Sequence, residues 1–336
     1  MVQVIRRKVS AMCVSRMHTM GHSGMVGEVQ AQQAATAAVF TAHPAKKMSR
    51  IEAMPGLPNL RRLREGSPIM RAACPTSADA AEQEAIRSKL GVRSLVDLRT
   101  ADERLGDPLP YPMWDSVVRV RQGTVHSPPV EEASPQDTIE EGVVLYNVPL
   151  YTTRRIMRWV LLNAPLWEKP QLLSSLPTVL GLAKPDPDTM QVYNSSLSRH
   201  GLKGHNSFLL SSCGPQVCAV LQLMCDQSNL PMVFFCSLGK DRTGVISMLA
   251  LHCGGASRDQ IREDFKRSAE GLAKVKADVM QSLEKKGLDP EEFISARAEI
   301  VDEAFEYLDA KYGGVDEYLD SIGFGAEWRD KLAQVI

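Results

Sequence analysis

The sequence predicts an α/β fold: a mostly parallel sheet flanked by helices, followed by a C-terminal part that is helical only. Short apolar runs at Ile69–Ala72, Ser94–Leu98, Val143–Leu150 and Met232–Phe235 read as strands, and segments of helical periodicity separate them. Beyond Gly254-Gly255 every periodic segment is helical. The chain has 336 residues, 44% apolar and 24% charged, the composition of an ordinary globular protein.

Composition also excludes some functions. A formal net charge of -1 gives no reason to expect nucleic acid as a partner. No apolar run approaches the roughly 18 residues needed to span a bilayer. Seven cysteines, an odd number and widely scattered, read as free thiols in a reducing compartment. A cytoplasmic location is therefore expected. Residues 1–50 stand apart: Arg6, Arg7, Lys8 and Arg16 precede the first acid, Glu28. They are expected to form a disordered extension or, alternatively, a mitochondrial or plastid transit peptide. A catalytic domain is expected over residues 51–336.

Taken in order, Pro58-Asn59-Leu60-Arg61 opens a turn before the first strand. Ser77–Leu90 has helical spacing, with Ser77 as N-cap and Gly91 as C-cap. The strand Ser94–Leu98 follows, and Arg99–Glu103 leaves its carboxyl end, where open α/β sheets bind ligands. Arg121–Gly142, with three prolines, reads as a surface loop. After the strand Val143–Leu150, the spacing predicts a helix over Arg154–Asn163. Leu166–His205 reads as an irregular insertion, a lid or a plain surface excursion, since Lys184-Pro185-Asp186-Pro187-Asp188 suits neither helix nor central strand. Gln216–Gln227 is a predicted helix that delivers the chain to the strand Met232–Phe235. A buried helix over Val245–Leu251, a capped helix from Ser257 to about Ala269, and helices over Val279–Lys286, Pro290–Leu308 and Val315–Ile322 complete the chain.

The chemistry concentrates between the fourth strand and the helix after it. Cys236 ends the strand, and Arg242 stands six residues on, at the helix start. A helix N-terminus, inward-facing amides and a nearby Arg lower a cysteine pKa from about 8.5 into the range of roughly 3.5–7.5. The same donors bind phosphate oxygens, so one structure activates the sulfur and positions the substrate. Arg242 adds a bidentate fork. Gly239 and Gly244 permit tight turns and close approach. Thr243 can donate its hydroxyl to the Cys236 sulfur and help it leave. Asp241 can protonate a leaving oxygen or activate water, although Lys240 and Arg242 beside it favour the carboxylate over the acid. A nucleotide-binding loop is excluded: Asp241 follows Lys240 where that loop needs Ser or Thr, and Phe235 takes the place of its upstream Gly.

At these residues the chain resembles the cysteine-dependent protein tyrosine phosphatase superfamily. It is most similar to the tyrosine/serine, or dual-specificity-like, branch whose loop reads His-Cys-x-x-Gly-Lys-Asp-Arg-Thr-Gly. Asn59-Leu60-Arg61, the segment Leu90–Arg99 and the segment Lys311–Leu319 resemble that branch's opening, strand and C-terminal motifs. Tyr146–Leu150 and Ala164–Trp167 are similar to plant, algal and fungal members. The resemblance implies a protein tyrosine phosphatase-like fold with a central, mostly parallel sheet of four to five strands. It implies Cys236 as nucleophile through a cysteinyl-phosphate, Arg242 as clamp, and Asp241 as acid, with Asp115 and Asp186 as weaker candidates. Ser237, Leu238, Gly239, Lys240, Thr243 and Gly244 would form the substrate-binding loop, and Asp97 and Arg99 would brace it. Phosphorylated protein is the implied substrate, with a phosphoinositide as the alternative. Chemistry of this kind requires no metal or cofactor. One departure matters: Phe235 stands where the branch has His. That His usually orients the loop and activates the thiol, so its loss implies slower attack at neutral pH. A phosphate-binding pseudophosphatase remains open.

Other candidates read as structural. Cys213, Cys218 and Cys225 lack His partners at zinc spacing and are expected in the core. His200 and His205 are expected to face solvent, and Trp159 and Trp167 to pack.

Overall fold

The computed structural model describes residues 54, 56–75 and 78–105, the backbone of 116–119, and 143–336 other than 174 and 185. All of these belong to one compact unit, Lys46–Ile336. The expected N-terminal extension, the loop at 121–142 and Asp115 lie outside the described residues.

The fold opens with β1 (Arg61–Arg62), β2 (Ile69–Ala73), α1 (Ala80–Leu90), β3 (Ser94–Asp97), α2 (Ala101–Arg104), β4 (Ser116–Arg119) and β5 (Val144–Asn147). Helices α3 (Thr153–Asn163), α4 (Lys169–Leu173), α5 (Leu176–Val179), α6 (Pro187–Ser212) and α7 (Gly214–Cys225) follow. Then come β6 (Met232–Cys236), α8 (Asp241–Cys253), α9 (Arg258–Lys266), α10 (Ser268–Gly271), α11 (Lys276–Lys285), α12 (Pro290–Ile294), α13 (Glu299–Tyr312), α14 (Val315–Ser321) and α15 (Ala326–Val335).

The sheet runs β1-β2-β6-β3-β5-β4, parallel throughout except for the edge strand β1. The last strand in sequence therefore sits centrally, between β2 and β3. All five of its residues, Met-Val-Phe-Phe-Cys, are buried, the pattern of a strand covered on both faces. Alternation along β6 divides the core. Phe234 and Cys236 face the larger cluster with α6, α7, α8 and α13, while Val233 and Phe235 face a smaller one with α1. Cys236 is paired with Ala73, and Phe235 with Asp97, so three strands end together at the carboxyl edge.

The structure departs from the sequence reading in several places. The sheet gains β1 and β4. Helix α1 is capped by Asp79, in a reciprocal box with Glu82, and Ser77 lies outside the described residues. The segment expected to be irregular, 166–205, is largely helical. Pro187 occupies the first turn of α6, where its missing N–H costs nothing, and Asp186 caps the Thr189 amide at 2.8 Å. Helix α6 kinks at Gly201, whose φ of 62° is left-handed. The single helix expected over 290–308 is broken into α12 and α13. Among the described residues no single helix is long and apolar enough to cross a membrane.

Candidate active site

The loop between β6 and α8 is shaped from behind. Gly239 has φ of 62°, and a Cβ there would lie 2.2 Å from the Ala72 carbonyl oxygen, so only glycine lets the loop press against β2. The Ser237 carbonyl accepts from the Cys74 amide at 3.2 Å. Asn59 Nδ2 donates to the carbonyls of Leu238 and Gly239, both at 3.1 Å. Arg71 Nη2 donates to Gly239 at 2.7 Å and Lys240 at 3.3 Å. In a trans peptide the next N–H points opposite to the C=O. Tying these carbonyls back therefore turns the amides of Leu238, Gly239, Lys240 and Asp241 forward, as an anion-binding nest. The amides of residues 237–240 find no backbone acceptor among the described residues.

Arg71 is itself held. It and Arg61, both fully buried, converge on Asp264 of α9. Arg61 Nε meets Asp264 Oδ1 at 2.8 Å, and Arg61 Nη2 also bonds the Asp264 carbonyl and Ser268 Oγ. Burial lowers the Arg71 pKa to about 10 against the pull of Asp264. Burial alone would raise the Asp264 carboxyl, but the two guanidinium groups hold it low.

Arg242 is fixed end-on. Its Nη1 and Nη2 each donate to a different oxygen of Glu103 at 2.6 Å, and Nη2 reaches Ser237 Oγ at 3.1 Å. Ser237 Oγ donates to Glu103 Oε1 at 2.6 Å. The Tyr151 ring lies 5.5 Å from the guanidinium carbon. Burial works against ionisation of Glu103, yet Arg242, Ser237 and the Thr100 amide hold its carboxyl far below the usual range. Glu103 takes the Nη1–Nη2 end and Ser237 Oγ the second Nη2 hydrogen, which leaves Nε as the guanidinium donor for an anion.

The loop opens onto a cavity of about 610 Å³. Cys236, Ser237, Leu238, Asp241 and Arg242 line its floor beside Glu103 and Asp102. Its walls are largely apolar: Ile156 from α3, Met190 and Leu197 from α6, Val279 and Leu283 from α11, and Leu288 and Phe293. The sequence-predicted residues thus divide. Lys240 does not line the cavity; its ammonium is buried, 2.6 Å from Asp241 Oδ1 and 2.9 Å from the Ser295 carbonyl. Thr243 Oγ1 is buried with no hydrogen-bond partner, so the bond expected to Cys236 is not made. Gly244 gives room to Phe265, whose ring would lie 3.0 Å from a Cβ. Asp97 and Arg99 form a buried pair with Nη2 2.9 Å from Oδ2, and Arg104 bonds the Arg99 carbonyl at 2.6 Å. They shape the turn that carries Glu103 rather than touching the cavity. Asp186 caps α6 and is also absent from the cavity lining.

Phe235 points away from the sulfur, into the smaller core, with the Arg99 guanidinium 5.7 Å from its ring centre. His205, expected in solvent, is buried between Tyr151 and Phe293 and lines the cavity. Its Nδ1 has no partner, and burial lowers its pKa to about 4. The helical periodicity of α6, which was read as irregular, is what turns it inward. Trp167, expected to pack, is 69% exposed. Cys213 and Cys218 are in the core as expected, their thiols pushed by burial to about 12 and about 11. Among the described residues no group of His, Cys, Asp and Glu could hold a metal ion.

Glu103, Arg71, Asp264 and Tyr151 were not singled out in the sequence. Glu103 had a signal, the capping box Thr100-x-x-Glu103 at the carboxyl end of β3. Arg71 had another, a lone charge in a wholly buried strand. Asp264 had none, since its partners are some two hundred residues away in sequence.

Comparison with known proteins agrees with this geometry. A model of the tyrosine phosphatase family matches residues 56–336. A protein named as a tyrosine-protein phosphatase in Cupriavidus necator is 29% identical over 96 residues, 28% of this chain and 35% of its own length. The triple specificity protein phosphatase PtpB of Mycobacterium tuberculosis is 31% identical over 100 residues, 28% of this chain and 36% of its own. The matched part is about a third of the length of these curated relatives.

Proposed function

We propose that this chain, which belongs to the tyrosine phosphatase family, hydrolyses phosphotyrosine monoesters of proteins through a cysteinyl-phosphate on Cys236. The observation that supports this best is the loop itself: a thiol at the floor of a cavity, ringed by forward-turned amides and a fixed guanidinium. Bound there, a phosphoryl group takes the nest amides and the Nε side of Arg242. The Cys236 sulfur attacks phosphorus, and the bond to the ester oxygen breaks. Water then attacks the cysteinyl-phosphate, releasing phosphate and the thiolate. Thr243, whose hydroxyl is free, would turn toward the departing sulfur.

Asp241 is the proton-transfer group in this reading. It lines the cavity beside Cys236 and would take the proton of the attacking water. Its carboxylate is already engaged by the Lys240 ammonium, and a reaction that leans little on an acid favours aryl esters. A tyrosine oxygen, with a phenol pKa of about 10, leaves with far less help than a serine alkoxide. The cavity walls point the same way, because apolar surface accepts an aromatic ring. A phosphoinositide carrying several phosphates fits less well, since the lining offers Arg242 and Lys286 against Glu103, Asp102 and Asp241. One relative is named a triple specificity protein phosphatase, and for that reason esters other than phosphotyrosine belong in the assay.

The test is hydrolysis of p-nitrophenyl phosphate across pH by wild type and Cys236→Ser, followed by phosphopeptides and phosphoinositides. Equal rates for the two proteins would refute the mechanism. Oxyanion binding without turnover would establish a pseudophosphatase instead, and a rate that appears only at raised pH would trace the deficit to the missing His.

A further inference from the structure

The region preceding α6 carries an unusual surface. Leu162, Leu166, Trp167, Leu173, Leu180 and Leu182 are each between 50% and 82% exposed. They lie within a stretch of about twenty residues spanning the end of α3, α4 and α5, and α3 packs against both short helices. Single exposed apolar residues are normal; a cluster of this size marks an interaction surface. Its charge is equally one-sided. Residues 152–184 contain five cations, Arg154, Arg155, Arg158, Lys169 and Lys184, and one carboxylate, Glu168. Glu168 is buried and satisfied by Arg199 at 2.6 Å and Ser196 at 2.6 Å, so no carboxylate faces solvent there. Counting on into the start of α6 adds the exposed Asp186 and Asp188, and residues 152–188 still carry an excess of two positive charges (five minus three) beside these exposed apolar side chains.

We propose that this face docks on an anionic lipid surface. Its chemistry is that of interfacial segments: leucines and a tryptophan that enter the acyl boundary, and Lys and Arg at the level of the headgroups. The side chains protrude from three short elements, and an adaptable fluid phase accepts such protrusions where a protein partner would need a matching pocket for each. Helix α3 links the face to the site, since Thr153 and Ile156 at its start line the cavity and Leu162 lies near its end. Docking would hold the cavity mouth close to the membrane and to phosphorylated groups displayed there. This goes beyond the proposed hydrolysis and does not depend on it.

The experiment is co-sedimentation of the full chain with vesicles of phosphatidylcholine alone or mixed with phosphatidylserine, at low and physiological salt. The chain should bind the mixed vesicles, less well as salt screens the charges. Lys169→Ala and Lys184→Ala should each weaken partitioning by about fivefold. Leu166→Glu with Leu180→Glu should weaken it by about tenfold or more. Trp167 emission should shift to the blue on binding, a shift that Trp167→Phe removes. None of these residues lines the cavity, so hydrolysis of a soluble aryl phosphate should stay unchanged and report that the variants are folded. Failure to bind either vesicle, or binding that the substitutions leave intact, would overturn the proposal. So would a concentration-dependent dimer dissolved by the Leu→Glu pair, which would make a second copy the occupant.

Discussion

The buried charge cluster behind the loop yields the most exacting prediction. Asp264→Asn keeps shape and volume but removes the carboxylate on which Arg61 and Arg71 converge, both of them 0% exposed. Breaking a buried pair by neutralising one partner costs about 3–5 kcal/mol, because the remaining charge is left without compensation. Against a typical stability of about 5–15 kcal/mol, that is a large fraction. Urea unfolding should show a lower midpoint with an unchanged slope. The effect should also reach the loop, since Arg71 holds the carbonyls of Gly239 and Lys240. Affinity for orthovanadate, an oxyanion resembling phosphate, should fall by about tenfold or more, roughly one charge-assisted hydrogen bond. A triple variant, Arg61→Met, Arg71→Met and Asp264→Leu, should recover most of the stability but not the anion affinity. An Asp264→Asn protein within about 1 kcal/mol of wild type that binds vanadate normally would refute the reasoning.

Three further outcomes follow from the same geometry. Glu103→Gln removes the charge that aims Arg242, so kcat/KM for an aryl phosphate should fall by about ten- to a hundredfold, the usual cost of a misaimed group; an unchanged value would show that the Tyr151 ring and Ser237 suffice to hold the guanidinium. His205 is buried neutral with a pKa of about 4, whereas the unfolded imidazole takes a proton near 6.5. Its contribution to stability should therefore be constant above about pH 6.5 and be lost as pH falls toward 4, by at most about 3 kcal/mol, and urea titrations at each pH should show a correspondingly shallower slope between pH 6.5 and 4 for His205→Gln than for wild type. Phe235→His places an imidazole beside the Asp97–Arg99 pair; it should raise the rate of Cys236 alkylation by iodoacetamide at neutral pH while costing about 1–3 kcal/mol for the buried polar ring.

Local signals made the strand, the loop after it and the thiol between them legible in the sequence. Met232–Phe235 is continuously apolar, as a strand covered on both faces must be, and Gly239-Lys240-Asp241-Arg242-Thr243-Gly244 stands directly after it. Residues brought in from a distance were not legible. Asp264 carries no local mark of its partnership with Arg61 and Arg71, because a sequence does not display pairing across two hundred residues. The segment 166–205 reads as irregular for a different reason. Its prolines look like breakers, yet Pro187 falls in the first turn of a helix, where proline is tolerated, and Gly201 bends that helix without ending it. Position within the element, not residue type, decided the outcome, and it moved His205 from solvent to the cavity wall.

Phe235, at the place where the resembled branch has His, takes on a different meaning once the strand is seen in section. Successive side chains of β6 point to opposite faces, so residue 235 faces the smaller core while Cys236 faces the cavity. A histidine there would act on the sulfur only through the backbone between them or through Asp97 and Arg99. The loop carbonyls are tied back by Asn59, Arg71 and the Cys74 amide instead, and Arg242 is held by Glu103. None of these is touched by the exchange of His for Phe. In the proposed mechanism phosphate capture thus rests on groups that residue 235 does not touch, while a change at 235 would bear on sulfur activation alone. Vanadate affinity should accordingly be the same in wild type and Phe235→His, with only the alkylation rate changing. A gain in vanadate affinity on restoring His would show that the two functions share a support after all.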